Sequence, residues 1–220
     1  MKVNTDGVLL GAWSEVADKK SILDVGTGTG IIAMMLAQRN ETAIVTALDI
    51  DENAVQQARS NFEKSVFSNR MTIRHLSVQD YAHNAEAVYD LICSNPPFFT
   101  GGMFSFNQSK ASARHTLNLS HEDLLRSVRL LLEHAGTFDL ILPFKEGLQF
   151  IKFSTSYGFH LKRITHVRTK HHKPVIRLLI SLTNVPVQTK ENQLVIHDLI
   201  NPEKYSEEYI RLTSEFYLFM

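Results

Sequence analysis

The chain has 220 residues, of which 44% are hydrophobic and 21% charged, a composition typical of a soluble globular protein. Its 23 basic residues are balanced by 23 acidic ones, which disfavours a protein that holds nucleic acid through net charge alone. The single cysteine excludes an internal disulfide, and with no signal-peptide pattern and no long apolar run we expect one cytoplasmic domain over residues 1–220.

Short apolar runs alternate with stretches of helical periodicity along the chain. The runs predict strands at 21–25, 43–48, 71–76, 88–94 and 136–142, and a closing pair at 159–167 and 175–183. The periodic stretches predict helices at 31–39, 52–64, 121–133 and 146–157, with Asp51 and Ser120 as N-caps of the second and third. This alternation is typical of an α/β fold with a mostly parallel sheet and helices on both faces. Residues 206–219 fit a final helix or a final strand equally well.

The turn after the first predicted strand is rich in glycine. Residues 24–30 have the sequence Asp-Val-Gly-Thr-Gly-Thr-Gly and lead into the first predicted helix. Glycine at such a turn lets a ligand approach the backbone where a side chain would block it. The pattern departs from the G-x-G-x-x-G fingerprint of dinucleotide sites. Asp24 at its head disfavours a pyrophosphate and favours a ligand with an ammonium group.

Asp49 ends the second predicted strand, 19 residues beyond Gly30. A carboxylate at that position can accept hydrogen bonds from both ribose hydroxyls of an adenosine. The ordinary alternative, a cap for the next helix, is already provided by Asp51. We therefore predict that Asp49, with the adjacent Ile50, binds a nucleoside.

The sequence Asn95-Pro96-Pro97-Phe98 follows the fourth predicted strand and is the most specific motif in the chain. An exocyclic amine on an aromatic base is a weak nucleophile because its lone pair is delocalised into the ring. The Asn95 side-chain oxygen and the Pro96 carbonyl can accept its two N–H groups, and the two prolines hold these acceptors in place. Phe98 offers a face on which an extruded base stacks. The alternative, a rigid turn without a catalytic role, is weaker because the glycine-rich turn precedes it.

Together, the glycine-rich turn, Asp49 and the N-P-P-F motif resemble the class I methyltransferases. The resemblance implies a Rossmann-like, seven-stranded domain with S-adenosyl-L-methionine as cofactor. The methionine part of this cofactor would lie on the glycine-rich turn, beside Asn95. Those that carry an N-P-P-[YF] motif methylate adenine or guanine amines in RNA and DNA, or a glutamine side-chain amide. The turn residues implied in the contact are Asp24, Gly26, Thr27, Gly28 and Gly30.

Three further segments narrow the resemblance to one bacterial family. Residues 1–13 (MKVNTDGVLLGAW) resemble its K-V-x-T-D-[GS]-x-L-L-G-A-W opening, residues 113–116 (ARHT) its A-R-[HY]-T motif, and residues 216–220 (FYLFM) its C-terminal F-Y-L-F-M. The family methylates N6 of adenine 37, next to the anticodon of tRNA-Val. The similarity covers essentially the whole chain, so we expect an adenine N6-methyltransferase that acts on a tRNA anticodon loop. Members usually begin further upstream, and we expect Met1 to be a shortened start.

The same resemblance implies roles for residues that chemistry alone does not assign. Lys2, Thr5 and Asp6 would lie near the amino-acid end of the cofactor, although an exposed, capped N-terminal turn also fits them. An acid that holds the adenine amine of the cofactor would follow the third strand. Either Val78 or Asp80 falls at that place, and we assign the role to Asp80.

Two polar stretches are candidates for contact with RNA. Residues 101–114 form a long segment without periodicity, and such segments in compact domains are often binding loops; Lys110 and Arg114 belong to it. Residues 162–177 contain six Lys or Arg and no acid, and Lys170 and Lys173 are among them. A solvated surface explains both stretches equally well, so their contacts with phosphate are hypotheses.

Other functions are compatible with the same motifs. The chemistry would be the same in an amine methyltransferase for rRNA, DNA or a release-factor glutamine, and a non-catalytic nucleotide-binding module would need the N-P-P-F turn only for shape. His171 and His172 lack the Cys or acid partners of a metal site, so we expect no metal, and Cys93 fits a buried structural thiol. We expect no membrane partner, and the sequence leaves the oligomeric state open.

Overall fold

The computed structural model describes residues 4–84, 87–96 and 119–217. Their strands form one eight-stranded sheet in the spatial order β3-β2-β1-β4-β5-β7-β6-β8. Strand β7 runs antiparallel to β5 and β6, and the other neighbouring pairs are parallel. The strands are β1 (Ser21–Val25), β2 (Ile44–Asp49), β3 (Met71–His75), β4 (Tyr89–Ser94), β5 (Leu132–Pro143), β6 (His160–Arg168), β7 (Val175–Thr183) and β8 (Lys190–Val195).

Helices pack on both faces of the sheet. Side chains of α1, α2, α3 and α7 share one buried cluster with the sheet, and those of α4, α5 and α6 share a second. Strand β5 serves both clusters, since Phe138 and Leu140 face one while Ile141 faces the other, as alternation along a strand requires. The helices are α1 (Thr5–Trp13), α2 (Ile31–Arg39), α3 (Glu52–Lys64), α4 (Val78–Asn84), α5 (His121–Leu131), α6 (Phe144–Ser154) and α7 (Glu207–Thr213).

Helix starts follow the predicted capping residues. The Asp51 carboxylate accepts the N–H of Asn53 at 2.9 Å, and the Ser120 hydroxyl accepts that of Asp123 at 3.0 Å. Each side chain satisfies one of the N–H groups that a first helical turn leaves without a partner. Both predicted N-caps are therefore confirmed. No helix within the described ranges is long and apolar enough to cross a membrane.

The predicted α/β class is confirmed, but the sheet has eight strands where we expected seven. The additional strand, β8, pairs with β6, and four of its six residues are exposed and polar. It carries no alternation of apolar and polar residues, which is why its sequence does not predict a strand. Residues 206–219 contain the helix α7 and a 3₁₀ turn at Ser214–Phe216, so the helical alternative was the right one.

The strand directions bring the loops that carry the motifs to one end of the sheet. All strands except β7 point the same way, so their carboxyl ends lie together, and we call this the carboxyl end of the sheet. From β1 the chain moves to β2 and β3 on one side, and then to β4 and β5 on the other. At such a reversal of strand order, the loops diverge and leave a crevice in which α/β proteins bind ligands.

Candidate active site

The turn between β1 and α2 is a glycine loop pinned to the neighbouring strand. The N–H groups of Gly26 and Thr27 both donate to the carbonyl of Leu48, at 2.9 and 3.0 Å. Gly26, Gly28 and Gly30 all have positive φ, at 70°, 58° and 82°. Because side chains with a Cβ rarely adopt this left-handed region, the sequence needs glycine at these positions for the loop to take this path.

Two of these glycines serve different purposes. Apart from Gly26 and its two chain neighbours, no described atom lies within 4 Å of the position that a Cβ on Gly26 would take, so the backbone there borders open space. A Cβ on Gly30 would instead collide with the ring of Phe62, which packs against the loop from α3. Gly26 therefore leaves room for a ligand against the backbone, whereas Gly30 allows close packing of helix and loop.

Asp24 lies fully buried beneath the loop. Its Oδ2 accepts hydrogen bonds from the Thr27 hydroxyl at 2.5 Å and the Ala33 N–H at 3.2 Å. Its Oδ1 is buried and has no hydrogen-bond partner among the described residues. Burial raises the pKa of Asp24 to about 7, against the smaller opposing effect of the hydrogen bond from Thr27. A buried carboxylate oxygen without a partner fits a site that a cationic ligand completes.

Asp49 is the second acid of the site. Its Oδ2 accepts the N–H of Gly28 at 2.8 Å, and its Oδ1 accepts that of Asp51 at 2.9 Å. The side chain is half-buried, and a carboxylate has about four acceptor sites, so each oxygen can still receive a hydroxyl. Ile50 follows with 40% of its surface exposed and offers an apolar contact beside the carboxylate.

Asn95 and Pro96 leave β4 next to the glycine loop. Val25 and Ser94 are paired across β1 and β4, and the Ser94 hydroxyl donates to the Val25 carbonyl at 2.9 Å. The next residues along the two strands are Gly26 and Asn95, so the loop and the N-P-P-F motif begin side by side. Asn95 is half-buried and Pro96 is buried.

Five predicted site residues lie outside the described residues. They are Lys2, Pro97, Phe98, Lys110 and Arg114.

The start of α1 lies beside the start of α2. A Cβ on Gly7 would be 3.5 Å from the Ile31 side chain, which places the first turn of α1 next to the glycine loop. Asp6 in this turn accepts a hydrogen bond from Arg177 Nε at 2.9 Å, with 16% of its side chain exposed, while Thr5 is exposed. The segment is thus a helix at the carboxyl end of the sheet, with Asp6 already paired to a cation.

Asp80 lies in the first turn of α4, beyond the carboxyl end of β3. Its Oδ2 accepts the Ser77 hydroxyl at 2.6 Å, and its own N–H donates to the Ser77 Oγ at 3.0 Å. This reciprocal pair caps the helix and leaves Asp80 exposed, whereas the side chain of Val78 is buried in the core. Of the two alternatives, only Asp80 offers a side chain with acceptor capacity toward a ligand.

The basic stretch 162–177 divides between the two ends of the sheet. Lys162 and Arg163 lie near the start of β6 and form ion pairs with Glu15 at 3.2 and 3.4 Å, away from the glycine loop. Lys170 and Lys173 lie in the turn between β6 and β7, at the carboxyl end. Only the second part of the stretch faces the same end as the proposed active site.

Sequence reasoning missed two residues that position the site. Arg177 pairs with Asp6 from β7, and the Asn61 side chain in α3 donates to the Thr29 carbonyl at 2.8 Å, which ties the glycine loop to that helix. Neither contact has a local sequence signal, because each joins residues that are distant along the chain.

The thiol of Cys93 is fully buried in β4, and burial raises its pKa well above the usual range, as in a structural thiol. The part of the chain that the structure describes contains no group of three or more His, Cys, Asp or Glu that could hold a metal ion.

Comparisons with known proteins agree with this geometry. The family model described as the methyltransferase small domain matches residues 6–122. A Vibrio campbellii protein named tRNA1(Val) (adenine(37)-N6)-methyltransferase is 42% identical over 220 residues, which cover 100% of this chain and 90% of that protein. A Bacteroides fragilis protein of the same name is 42% identical over 221 residues, covering 100% of this chain and 92% of that protein.

Solved structures show the same fold. A structure described as a predicted O-methyltransferase from Agrobacterium tumefaciens matches with a TM-score of 0.76 at 18% identity, over 96% of each chain. The ribosomal protein L11 methylase of Lactobacillus delbrueckii subsp. bulgaricus matches with a TM-score of 0.55 at 15% identity, over 80% of this chain and 76% of that one. At these identities the likeness concerns the fold alone.

Proposed function

Since this chain belongs to the bacterial tRNA1(Val) (adenine(37)-N6)-methyltransferase family, as its sequence motifs predicted, we propose that it methylates N6 of adenine 37 in tRNA-Val. The methyl donor would be S-adenosyl-L-methionine. A tRNA substrate implies action in the cytoplasm, by one domain that extends over residues 1–220.

The residues present fit this cofactor. Asp24 would attract the amino-acid end, which carries the ammonium group, and Lys2, Thr5 and Asp6 would border it. The backbone at Gly26 leaves space for the ligand, while Asp49 would accept the ribose hydroxyls and Ile50 would contact the adenine ring. Asp80 would receive the adenine amine. Bound there, the cofactor supplies an electrophilic methyl group on sulfur.

The chain's own contribution to the chemistry would come from the N-P-P-F motif. Asn95 Oδ1 and the carbonyl of Pro96 would accept the two N–H groups of the adenine amine, which favours a tetrahedral nitrogen with its lone pair directed at the methyl group. The register of β1 and β4 supports this role, because it sets Asn95 beside the glycine loop. Phe98 would stack on the extruded base, and Pro97 would stiffen the turn. No strong base is needed, because the amine becomes acidic only as it is alkylated.

The RNA would approach the same end of the sheet. Lys170 and Lys173 lie in the β6–β7 turn there, and they would contact phosphates of the anticodon stem and loop. Lys110 and Arg114 would add contacts from the segment between β4 and α5.

The observation that carries the proposal is the convergence of Gly26, Asp49 and Asn95 at adjacent strand ends, in a chain 42% identical to tRNA1(Val) (adenine(37)-N6)-methyltransferases. An amine methyltransferase for rRNA, DNA or a release-factor glutamine would use the same site, and a non-catalytic module would bind cofactor without turnover.

The test is methyl transfer from labelled S-adenosyl-L-methionine to an unmodified tRNA-Val transcript, followed by nucleoside analysis. We expect label in N6-methyladenosine, and none with a matched transcript that carries guanine at position 37. Equal labelling of both transcripts would show that adenine 37 is not the methylated nucleotide. Cofactor binding without label in either transcript would refute the tRNA-Val assignment and direct the assay to the other substrates.

A further inference from the structure

The β6–β7 turn contacts a second turn of the chain, which no sequence motif predicted. The chain leaves β8 at the carboxyl end of the sheet, where the N–H of Ile196 donates to the Arg168 carbonyl at 2.9 Å and that of His197 to the Thr169 carbonyl at 3.0 Å. His197 and Tyr205 then form a β-bridge, with their rings 5.6 Å apart. Residues 197–205 therefore form a closed turn, which we call the 197–205 turn, attached to the basic turn of residues 169–174.

Internal hydrogen bonds fix the shape of the 197–205 turn. Asp198 Oδ1 accepts the N–H groups of Ile200 at 2.9 Å and Asn201 at 2.7 Å, and these bonds hold the pKa of Asp198 below its usual range. Across the turn, the N–H of Asp198 donates to the Lys204 carbonyl at 3.0 Å. Asp198, one of the two acids in the turn, is thus occupied by the backbone, while the other, Glu203, is exposed. The tip has a defined conformation.

The tip of this turn presents apolar side chains to solvent. Ile200 is 93% exposed, Leu199 is 66% exposed, and Tyr205 at the base is 43% exposed. Single exposed apolar residues are common on protein surfaces. Leu199 and Ile200, however, are adjacent and lie on an ordered turn at the end of the sheet where the substrate would bind.

The basic turn beside the tip is cationic, since residues 169–174 include Lys170 and Lys173 and no acid. On the 197–205 turn, Lys204 is opposed by Asp198 and Glu203, and His171 of the basic turn is close enough to Asp198 to help lower the pKa of its carboxyl. A surface that joins positive charge to exposed apolar side chains matches a strand with phosphates on one side and unstacked bases on the other. Duplex RNA does not fit as well, because its bases are stacked inside and only phosphates and sugars would meet the tip.

We propose that the 197–205 turn, together with the basic turn, is a second contact surface for single-stranded RNA, and that Ile200 and Leu199 pack against unpaired nucleotides of the anticodon loop next to the target adenine. This inference rests on the proposed function and adds the surface that holds the loop. Asn95 follows β4 and the basic turn follows β6, and strands β5 and β7 lie between these two strands. The three strand-to-strand spacings from β4 to β6 amount to roughly 14 Å. A few nucleotides of one RNA strand cover that distance.

The experiment compares three sets of variants for binding of an unmodified tRNA-Val transcript over a range of salt concentrations. The test variant is Leu199→Ser with Ile200→Ser, and its control is Val66→Ser, another exposed apolar residue, which follows α3 at the opposite end of the sheet. The third set is Lys170→Gln with Lys173→Gln, which removes charge from the basic turn only.

We expect the double serine variant to weaken tRNA binding roughly fivefold to tenfold, with the salt dependence of Kd unchanged, because the lost contacts are apolar. The double glutamine variant should lower the slope of log Kd against log salt by roughly 0.7–0.9 for each lost phosphate contact. Val66→Ser should bind like the unsubstituted chain. S-adenosyl-L-methionine affinity, measured by calorimetry, should stay the same in all three, which shows that each variant folds.

Unchanged tRNA affinity in the double serine variant, in a protein that methylates tRNA-Val, would overturn this inference and leave the proposed function intact. A change in molecular mass by light scattering, with tRNA affinity unaltered, would assign the apolar tip to contact between copies of the chain and equally overturn it. If the unsubstituted protein neither binds nor methylates tRNA, the proposed function itself fails.

Discussion

Asp49 accepts the backbone N–H of Gly28 at 2.8 Å, so the acid that ends β2 also fixes the loop that follows β1. Its second oxygen is held by the N–H of Asp51 at 2.9 Å. The carboxylate is therefore oriented before any ligand arrives, and ligand binding loses little further side-chain entropy there. One side chain joins the two halves of the proposed cofactor site, the loop and the nucleoside contact.

Replacing Asp49 with alanine should weaken binding of S-adenosyl-L-methionine at least roughly tenfold, since it leaves ribose hydroxyls without acceptors and frees the Gly28 N–H. Isothermal titration calorimetry would measure this. The matched control is Asp51→Ala, which removes the N-cap of α3 and should lower the free energy of unfolding by about 1 kcal/mol without changing cofactor affinity. Equal cofactor affinity in Asp49→Ala and the unsubstituted chain would disprove the ribose contact.

Replacing Asn95 with alanine should reduce kcat at least ~100-fold while cofactor affinity is nearly retained, because the lost acceptor acts on the adenine amine as charge develops on it. Single-turnover methylation of tRNA-Val separates this effect from product release. Asn53→Ala, an exposed asparagine in the first turn of α3, serves as the control and should leave kcat unchanged. An unchanged rate in Asn95→Ala would rule out the proposed chemistry.

The parts of the site that follow from sequence are those built from short-range rules. A glycine-rich turn after a buried strand, an acid at the end of the next strand and N-P-P-F after the fourth predicted a common site, because parallel strands end together. The strand directions place Gly26, Asp49 and Asn95 at neighbouring strand ends as that rule requires. Asp51 and Ser120 were predictable for the same reason, since a cap depends only on the next few residues.

Helix α1 shows why other parts were missed. Every residue from Gly7 to Trp13 is buried, between α2, α7 and the sheet. A helix covered on all sides has no polar face, so its sequence lacks the 3.6-residue period by which a surface helix is recognised. The contact of Asp6 with Arg177 spans 171 positions and depends on the whole sheet order, which no local pattern encodes.

Asp24 should make the stability of the unliganded protein depend on pH. Burial raises the pKa of Asp24 from 3.8 to about 7, so between these values the folded chain binds more protons than the unfolded one. This contribution to stability is fully present below pH 3.8 and is lost as the pH rises to about 7. Asp24→Asn keeps an acceptor for Thr27 and Ala33 but cannot ionise, and should raise the free energy of unfolding at pH 8 by about 2–4 kcal/mol.

Urea denaturation of both proteins at pH 5 and pH 8 would test this, and the advantage of Asp24→Asn should shrink at pH 5. The same substitution should weaken S-adenosyl-L-methionine binding, because an amide does not attract an ammonium group as a carboxylate does. Asp18→Asn, at an exposed acid before β1, is the control and should change neither quantity. If the stability gained by Asp24→Asn over the unsubstituted chain is no larger at pH 8 than at pH 5, the buried Asp24 does not ionise as proposed.

Alanine substitutions in the glycine loop should distinguish effects on cofactor binding from effects on stability. Gly26 and Gly30 both have positive φ, so alanine at either position should lower the free energy of unfolding by about 1–2 kcal/mol through backbone strain. At Gly30 the new methyl group would also collide with Phe62, and the total loss should be larger, about 2–4 kcal/mol. At Gly26 the methyl group would enter open space, the space that the proposed cofactor needs.

Thermal denaturation and calorimetry with S-adenosyl-L-methionine together distinguish the two variants. We expect Gly26→Ala to lose at least roughly tenfold in cofactor affinity with a modest fall in Tm, and Gly30→Ala to show the greater fall in Tm. Gly158→Ala provides a reference for strain alone, since its φ is 75° and it lies after α6, remote from the loop. If Gly26→Ala binds the cofactor as tightly as Gly158→Ala does, the open space beside Gly26 is not where the cofactor lies.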